Sequence, residues 1–134
     1  MKPTLIDTDI LSLFLRGHSA VVARFTDYLA EYAVIHFSIV TYYEIVSGLK
    51  HRDARKQLQT FLDFAQHSVI VPLAEDAANL AAERYAELRL LGQPIDDIDL
   101  LIAGTALAHQ RVLVTHNLDH FQRVAGLELA DWSA

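Results

Sequence analysis

The chain has 134 residues, 52% of them hydrophobic, and this length predicts one domain over residues 1–134 with a full apolar core. It contains no cysteine, which excludes disulfides and thiolate metal sites and is typical of a cytoplasmic protein. No apolar stretch approaches the ~20 residues of a membrane span, and the N-terminus lacks the apolar region of a secretory signal, so we expect no membrane association. With a formal net charge of −6, the chain would need a local basic patch or a bridging cation to bind nucleic acid.

Short strands and longer helices alternate along the sequence. Runs of β-branched and apolar residues predict strands, and apolar residues at helical spacing predict helices. The predicted strands are TLID (4–7), AVIHFS (33–38), SVIVPL (68–73), RVLVT (111–115) and LELADW (127–132). The predicted helices cover 9–16, 19–32, 39–49, 53–66, 74–91 and 99–110.

This alternation predicts a three-layer α/β fold, in which a mostly parallel central sheet of four or five strands has helices on both faces. Ligands of such sheets bind beyond the carboxyl ends of the strands, where the strand order reverses. Asp7 closes the first predicted strand and Asn117 follows the fourth. If these two strands are neighbours, both side chains point into one crevice.

Two further acids lie on helices. Glu44 belongs to the helix at 39–49, which Ser38 is expected to cap. The apolar spacing of that helix predicts an inward stripe of Ile39, Tyr43, Val46 and Leu49. Glu44 lies at the edge of this stripe. Asp99 lies in the first turn of a helix that is apolar almost all round, where the helix dipole favours a carboxylate.

Asp7, Glu44 and Asp99 therefore form a candidate acidic constellation. Carboxylates that are brought together repel one another, and at least one takes up a proton unless a cation joins them. Hard divalent cations prefer all-oxygen sites, and Mg²⁺ commonly binds one or two carboxylates and keeps several waters. The residues thus point to a magnesium site.

Three segments resemble the successive blocks of a PIN domain, and more closely those of the VapC-type toxins of bacterial toxin–antitoxin pairs. They are LIDTDILSLFL (5–15), FSIVTYYEIVSGL (37–49) and the stretch from IDDIDLLIAGTAL to LELADW (95–132). The resemblance implies a ribonuclease that depends on Mg²⁺ or Mn²⁺ and leaves a 5′-phosphate and a 3′-hydroxyl. It also implies a cognate VapB-like antitoxin as inhibitor, and a homodimer.

Carried over by position, Asp7, Glu44 and Asp99 match the three core acids of the family, with Asp7 and Asp99 as the chief metal ligands. Asp9 stands where many relatives have Asn, and Asn117 where many have a fourth Asp. A neutral amide at 117 would weaken a second metal site. We therefore expect one well-occupied ion, with Glu44 and Asn117 as further ligand candidates. Asp9 can restore the lost charge if its side chain faces the crevice; alternatively it interacts with the dipole of the first helix.

Two sets of residues are candidates for secondary roles. The hydroxyl of Thr115 either orients Asp7 or simply ends a strand. The segment GLKHRDARKQ holds the one basic cluster of the chain, which either contacts the RNA backbone or forms a solvated helix start. Its members are Lys50, Arg52, Arg55 and Lys56.

Tyrosines are frequent in two of the early helices, and aromatic residues are enriched at interfaces. We expect the antitoxin to pack against these helices. The tyrosines are Tyr28, Tyr32, Tyr42 and Tyr43.

Two other functions remain open on the sequence. The stretch DTDIL is similar to the Asp-x-Asp motif of haloacid-dehalogenase-like phosphatases. However, Leu11 stands where that motif has Thr or Val, and the lysine that the motif needs shortly before the late acids is missing, since none lies between Lys56 and Asp99. A PIN-like module that binds RNA or protein without catalysis is the other alternative, and Asn117 is the residue that leaves it open.

Overall fold

The structure is a computed structural model that describes residues 1–134. Five strands and seven helices follow one another along the chain. Their bounds are β1 Thr4–Ile6, α1 Thr8–Leu15, α2 Ser19–Tyr32, β2 His36–Ser38, α3 Ile39–His51, α4 Arg55–Gln66, β3 Val69–Val71, α5 Glu75–Leu90, α6 Asp97–Ala108, β4 Val112–Val114, α7 Leu118–Phe121 and β5 Leu129–Ala130. No helix has both the length and the apolar composition of a membrane span.

All strand pairs are parallel, as the alternation predicts. β1 pairs with β4, and β4 pairs with β5, while β2 and β3 form a second ladder. β1 also contacts β2, which brings the two ladders side by side. The chain thus moves to one side of β1 through β2 and β3, and returns to its other side through β4 and β5. The boundary between β1 and β4 is therefore the place where the strand order reverses, and ligands of parallel sheets bind there.

The sheet separates two apolar cores. Leu5 and Ile6 are neighbours on β1 and point to opposite faces, because side chains alternate along a strand. Ile6 belongs to a core shared with α1, α2, α3 and α4, and Leu5 to one shared mainly with α5 and α6. Gly104 allows α6 to lie directly against α5, because a Cβ there would stand 2.4 Å from the carbonyl oxygen of Ala77. The three-layer prediction is confirmed.

The predicted inward stripe of α3 is correct in its second half, where Val46 packs against the core and Leu49 is buried, and wrong in its first half. Ile39 and Tyr43 are exposed, and the buried residues of the helix are Val40, Thr41, Ile45 and Leu49. The cap is as predicted, since the Ser38 hydroxyl accepts from the amide of Thr41 at 3.0 Å. A buried threonine replaces an apolar residue in the stripe, so apolar spacing alone misplaced it.

The tyrosines of the early helices are mostly part of the core. Tyr28 is fully buried and stacks on Tyr32 at 4.5 Å between ring centroids, while Tyr42 packs against Phe61 at 5.8 Å. Only Tyr43 is well exposed, at 62%. Tyr28 is therefore not available to a partner, and the expectation that the antitoxin packs against these helices stays a prediction.

Candidate active site

Asp7 directly follows β1 and is the N-cap residue of α1. Its amide continues the strand ladder by donating to the carbonyl of Val114 at 2.8 Å. Oδ1 accepts the amide hydrogen of Thr8 at 2.8 Å, and Oδ2 accepts the hydroxyl of Thr115 at 2.7 Å. The register of β1 and β4 pairs Ile6 with Val114, so the next residue of each strand meets at the reversal point. Parallel pairing thus brings together residues that lie 108 positions apart.

The carboxyl of Asp7 is 5% exposed, and this burial changes its acidity. Burial, and next the negative charge of Asp9, raise the pKa of Asp7 from 3.8 to about 7. The hydrogen bonds from Thr115 and Thr8 act in the opposite direction because they stabilise the carboxylate. A nearby cation would favour the ionised form.

Glu44 reaches the same region from α3. The hydroxyl of Thr8 donates to Oε1 of Glu44 at 2.5 Å and lies 3.1 Å from the hydroxyl of Thr41. Thr8 is adjacent to Asp7 and its amide binds that carboxylate, so one residue contacts two of the three core acids. This contact links Glu44 to the residue that follows Asp7, while its role as a site residue stays a prediction.

Asp99 lies in the first turn of α6, and its side chain is 22% exposed. Partial burial, followed by the charges of Asp96 and Glu44, raises the pKa of Asp99 to about 6. Nδ1 of His120 lies 3.9 Å from Oδ2 of Asp99 and has the opposite influence on that pKa. The charge of Asp99 in turn makes a small contribution to the raised pKa of Asp7.

The turn after β4 completes the site. The Thr115 hydroxyl, which donates to Asp7, also accepts the amide hydrogen of Asn117 at 3.0 Å. The side-chain amide nitrogen of Asn117 lies 3.0 Å from Nδ1 of His120. Asn117 precedes the short helix α7, which the sequence pattern did not predict. Of the two interpretations of Thr115, the structure supports the one in which it contacts Asp7.

Asp9 faces this turn, and both of its oxygens accept backbone hydrogens. Oδ1 accepts from Ile10 at 2.7 Å, and Oδ2 accepts from His116 at 3.1 Å. Burial is the main cause of its raised pKa, and the two amides oppose that increase. Its charge also contributes to the raised pKa of Asp7, so Asp9 influences the site electrostatically as well as by its bonds.

The donor set fits one hard divalent cation. No three His, Asp or Glu side chains are grouped so that they could hold a metal ion together. Asp7 and Asp99 nevertheless offer carboxylate oxygens that a cation would stabilise in their ionised forms. Two carboxylates with water completing the shell match the way in which Mg²⁺ is commonly held.

A groove of ≈ 730 Å³ extends from Glu44 between α1, α3 and α4. Two members of the predicted basic cluster, Arg52 and Lys56, line it. Arg55 instead lies beside Asp53, with Nε and Oδ1 2.9 Å apart, and neither it nor Lys50 lines the groove. Arg16 contributes a third positive charge. The sequence pattern missed Arg16 because it lies at the end of α1, far along the chain from the other two.

The protein thus has an α/β fold with parallel strands and helices on both faces. Its candidate active site is acidic and lies at the strand-order reversal. The family model described as "PIN domain" matches residues 4–127. The chain therefore belongs to the PIN domain family, which confirms the resemblance and excludes the phosphatase alternative.

Individual relatives extend over nearly the whole chain. "Ribonuclease VapC1" of Haemophilus influenzae strain R2866 is 28% identical over 130 residues, which cover 96% of this chain and 97% of the relative. The "tRNA(fMet)-specific endonuclease VapC" of Shigella flexneri is 29% identical over 135 residues, covering 99% and 100%. The solved structure of VapBC2 from Rickettsia felis, bound to a DNA fragment from its promoter, aligns with a TM-score of 0.85 at 28% identity and covers 96% of this chain and 98% of its own.

Proposed function

We propose that this protein is an endoribonuclease toxin of the VapC type, which hydrolyses RNA phosphodiester bonds with the help of Mg²⁺ or Mn²⁺ and is neutralised by a cognate antitoxin. The observation that carries the proposal is the buried carboxyl of Asp7 at the strand-order reversal, with Glu44 bonded to the adjacent Thr8 and the charge of Asp99 near enough to influence the pKa of Asp7. The printed names of the relatives agree, since they are ribonucleases and endonucleases.

Asp7 and Asp99 are the residues that would hold the ion, with Glu44 and Asn117 as further candidates. The bound ion would lower the pKa of a water molecule and stabilise the charge that develops on the phosphate. Thr115 and the amide of Thr8 hold both oxygens of Asp7 in a fixed orientation. The Thr8 hydroxyl restrains Glu44 beside it. The chain therefore positions its acids before the substrate arrives.

The groove beside Glu44 is the proposed path of the RNA backbone. Arg16, Arg52 and Lys56 place positive charge along it, although the whole chain has a formal net charge of −6. Phosphate contacts of this kind position a nucleic acid without reading its sequence. The groove thus provides the local basic surface that the overall charge requires.

The proposed partner is a VapB-like antitoxin. The similar solved structures are toxin–antitoxin assemblies, including VapBC2 of Rickettsia felis and the DNA-bound VapBC of Salmonella typhimurium, which has a TM-score of 0.87 at 25% identity. A homodimer of this chain within such an assembly, and a location in the cytoplasm, are parts of the same proposal.

Cleavage of a labelled structured RNA in Mg²⁺ by single variants tests the site. We expect Asp7→Asn, Glu44→Gln and Asp99→Asn each to abolish cleavage, because each removes a charge from the crevice while the fold is retained. Asp119→Asn is the matched control, since Asp119 lies on α7 near the site and its side chain makes no hydrogen bond or ion pair. If two of the three core variants retain near-native activity, the assignment of the site is wrong.

A further inference from the structure

Three consecutive residues after β4, Thr115 to Asn117, are each held by a different group; we refer to them as the 115–117 loop. The amide of Thr115 donates to the carbonyl of Ala130 at 2.9 Å, and its hydroxyl donates to Asp7. The amide of His116 donates to Asp9, and that of Asn117 donates to the hydroxyl of Thr115. The loop that presents a hydroxyl to Asp7 is thus restrained at every residue.

Asp9 makes the bond that reaches this loop from the other end of the chain. One carboxylate oxygen is bound to the amide of Ile10 within α1, and the other to the amide of His116, 107 positions away. An aspartate can accept hydrogen bonds from both backbone amides at once, because each of its two carboxylate oxygens accepts one. An asparagine at this position has a single acceptor oxygen and would direct an N–H toward one of the two amides.

The opposite side of the loop is braced by the C-terminal segment. Nδ1 of His116 lies 2.9 Å from Oδ2 of Asp131 and 3.0 Å from the hydroxyl of Ser133. Oδ1 of Asp131 accepts the amide of Ser133 at 2.8 Å and its hydroxyl at 2.6 Å, and the Asp131 side chain is only 13% exposed. His116 is therefore held by Asp9 through its backbone and by Asp131 through its side chain.

We propose that Asp9 is a positioning residue for RNA cleavage: it fixes the backbone of the 115–117 loop and thereby holds the Thr115 hydroxyl on Asp7, with Asp131 and Ser133 as a brace on the far side. This inference rests on the proposed nuclease function. It assigns to Asp9 a role distinct from that of a metal ligand. Groups that orient a metal-site residue commonly contribute 10–100-fold to affinity or activity.

The test combines amide hydrogen exchange of the full-length, metal-free protein with cleavage kinetics on a labelled RNA in Mg²⁺. For Asp9→Ala we expect exchange at the amides of His116 and Asn117 to accelerate at least tenfold, and kcat to fall about 10–100-fold with KM nearly unchanged. Asp9→Asn should lie between Asp9→Ala and the wild type in both measurements, because one acceptor oxygen serves only one of two amides. Asp119→Ala removes the same charge without removing a loop bond and should change neither measurement.

Each alternative result has a distinct meaning. Unchanged loop exchange together with a large loss of kcat would overturn the proposal, because Asp9 would then act on the reaction directly. Unchanged exchange and unchanged kcat would overturn it as well. If Asp9→Ala does not fold, Asp9→Asn and Asp131→Ala decide the matter by the same two measurements. A wild-type chain that cleaves no RNA refutes the proposed function and with it a role of Asp9 in cleavage, while the exchange data still establish whether Asp9 restrains the loop.

Discussion

Replacing Asp7 with asparagine should stabilise the metal-free protein at alkaline pH while it abolishes cleavage. The folded state raises the pKa of Asp7 from 3.8 to about 7, because the carboxyl is buried beside Asp9. Between these two values the folded protein holds a proton that the unfolded chain has released. The stability associated with that proton is fully present below pH 3.8 and is lost as the pH rises through 7.

The shift of about three pKa units corresponds to roughly 4 kcal/mol, at about 1.4 kcal/mol per unit. About two of these units lie between pH 5 and pH 7, so Asp7 should lower the unfolding free energy by roughly 3 kcal/mol over that interval. The asparagine of the Asp7→Asn variant does not ionise, so this substitution removes the decrease in unfolding free energy that Asp7 causes as the pH rises. It also weakens the contact with Thr115, because asparagine has one acceptor oxygen and places an NH2 group where the second carboxylate oxygen accepted a hydrogen bond, at a cost of about 1 kcal/mol. A net stabilisation on the order of 2–3 kcal/mol should therefore appear at pH 8, and little or none at pH 5.

Urea unfolding in EDTA at pH 5 and pH 8 measures this difference. The wild type should lose stability between the two pH values, and the Asp7→Asn variant should lose distinctly less. Asp119→Asn, which changes an exposed carboxyl, should follow the wild type. If Asp7→Asn shows the same pH dependence as the wild type, then burial does not raise the pKa of Asp7 and the electrostatic description of the site is incorrect.

Three further predictions concern the surroundings of Asp7. Asn117→Asp should lower the Mg²⁺ concentration needed for half-maximal cleavage, and Asn117→Ala should cost less activity than the loss of a core acid. Calorimetric titration of the RNA-free wild type with Mg²⁺ should show one strong site, and two strong sites would contradict the expectation of a single ion. Thr115→Val removes a hydrogen bond that lowers the pKa of Asp7, so the acid limb of the pH–rate profile should move to higher pH, and an unchanged limb would mean that Thr115 does not orient this carboxyl. RNA binding should become weaker in Arg52→Ala and in Lys56→Ala, and its salt dependence should fall by about one counterion in each. Lys50 lies outside the groove, so Lys50→Ala should change neither property. Equal effects of all three variants would refute the groove as the RNA path.

Much of the sheet could be predicted from local pattern. Short apolar runs placed all five strands, and their alternation with helices predicted parallel pairing. The position of Asp7 followed from the same pattern, because the residue after a buried strand lies at the edge where ligands bind. The same pattern indicates that Thr115 lies near Asp7, since Thr115 follows the neighbouring strand.

Other features depend on contacts that no local pattern records. The buried face of α3 includes Thr41, whose hydroxyl lies against that of Thr8, and a search for apolar spacing passes over it. Arg16 joins the groove only because α1 packs beside α3 and α4. The bonds from Asp9 to His116, and from His116 to Asp131, join three distant parts of the chain, and their direction follows from tertiary structure alone.

We propose above that the carboxylates around Asp7 hold a divalent cation with which the protein hydrolyses RNA. The most direct measurement follows a labelled structured RNA with the purified wild type in Mg²⁺, then with EDTA added, and then with Mg²⁺ restored in excess, with Asp7→Asn treated in parallel. We expect the wild type to cleave the RNA, to stop when EDTA is added and to resume when Mg²⁺ is restored, and we expect no cleavage by Asp7→Asn at any stage. Cleavage that continues in EDTA, or that Asp7→Asn performs equally well, would contradict this proposal.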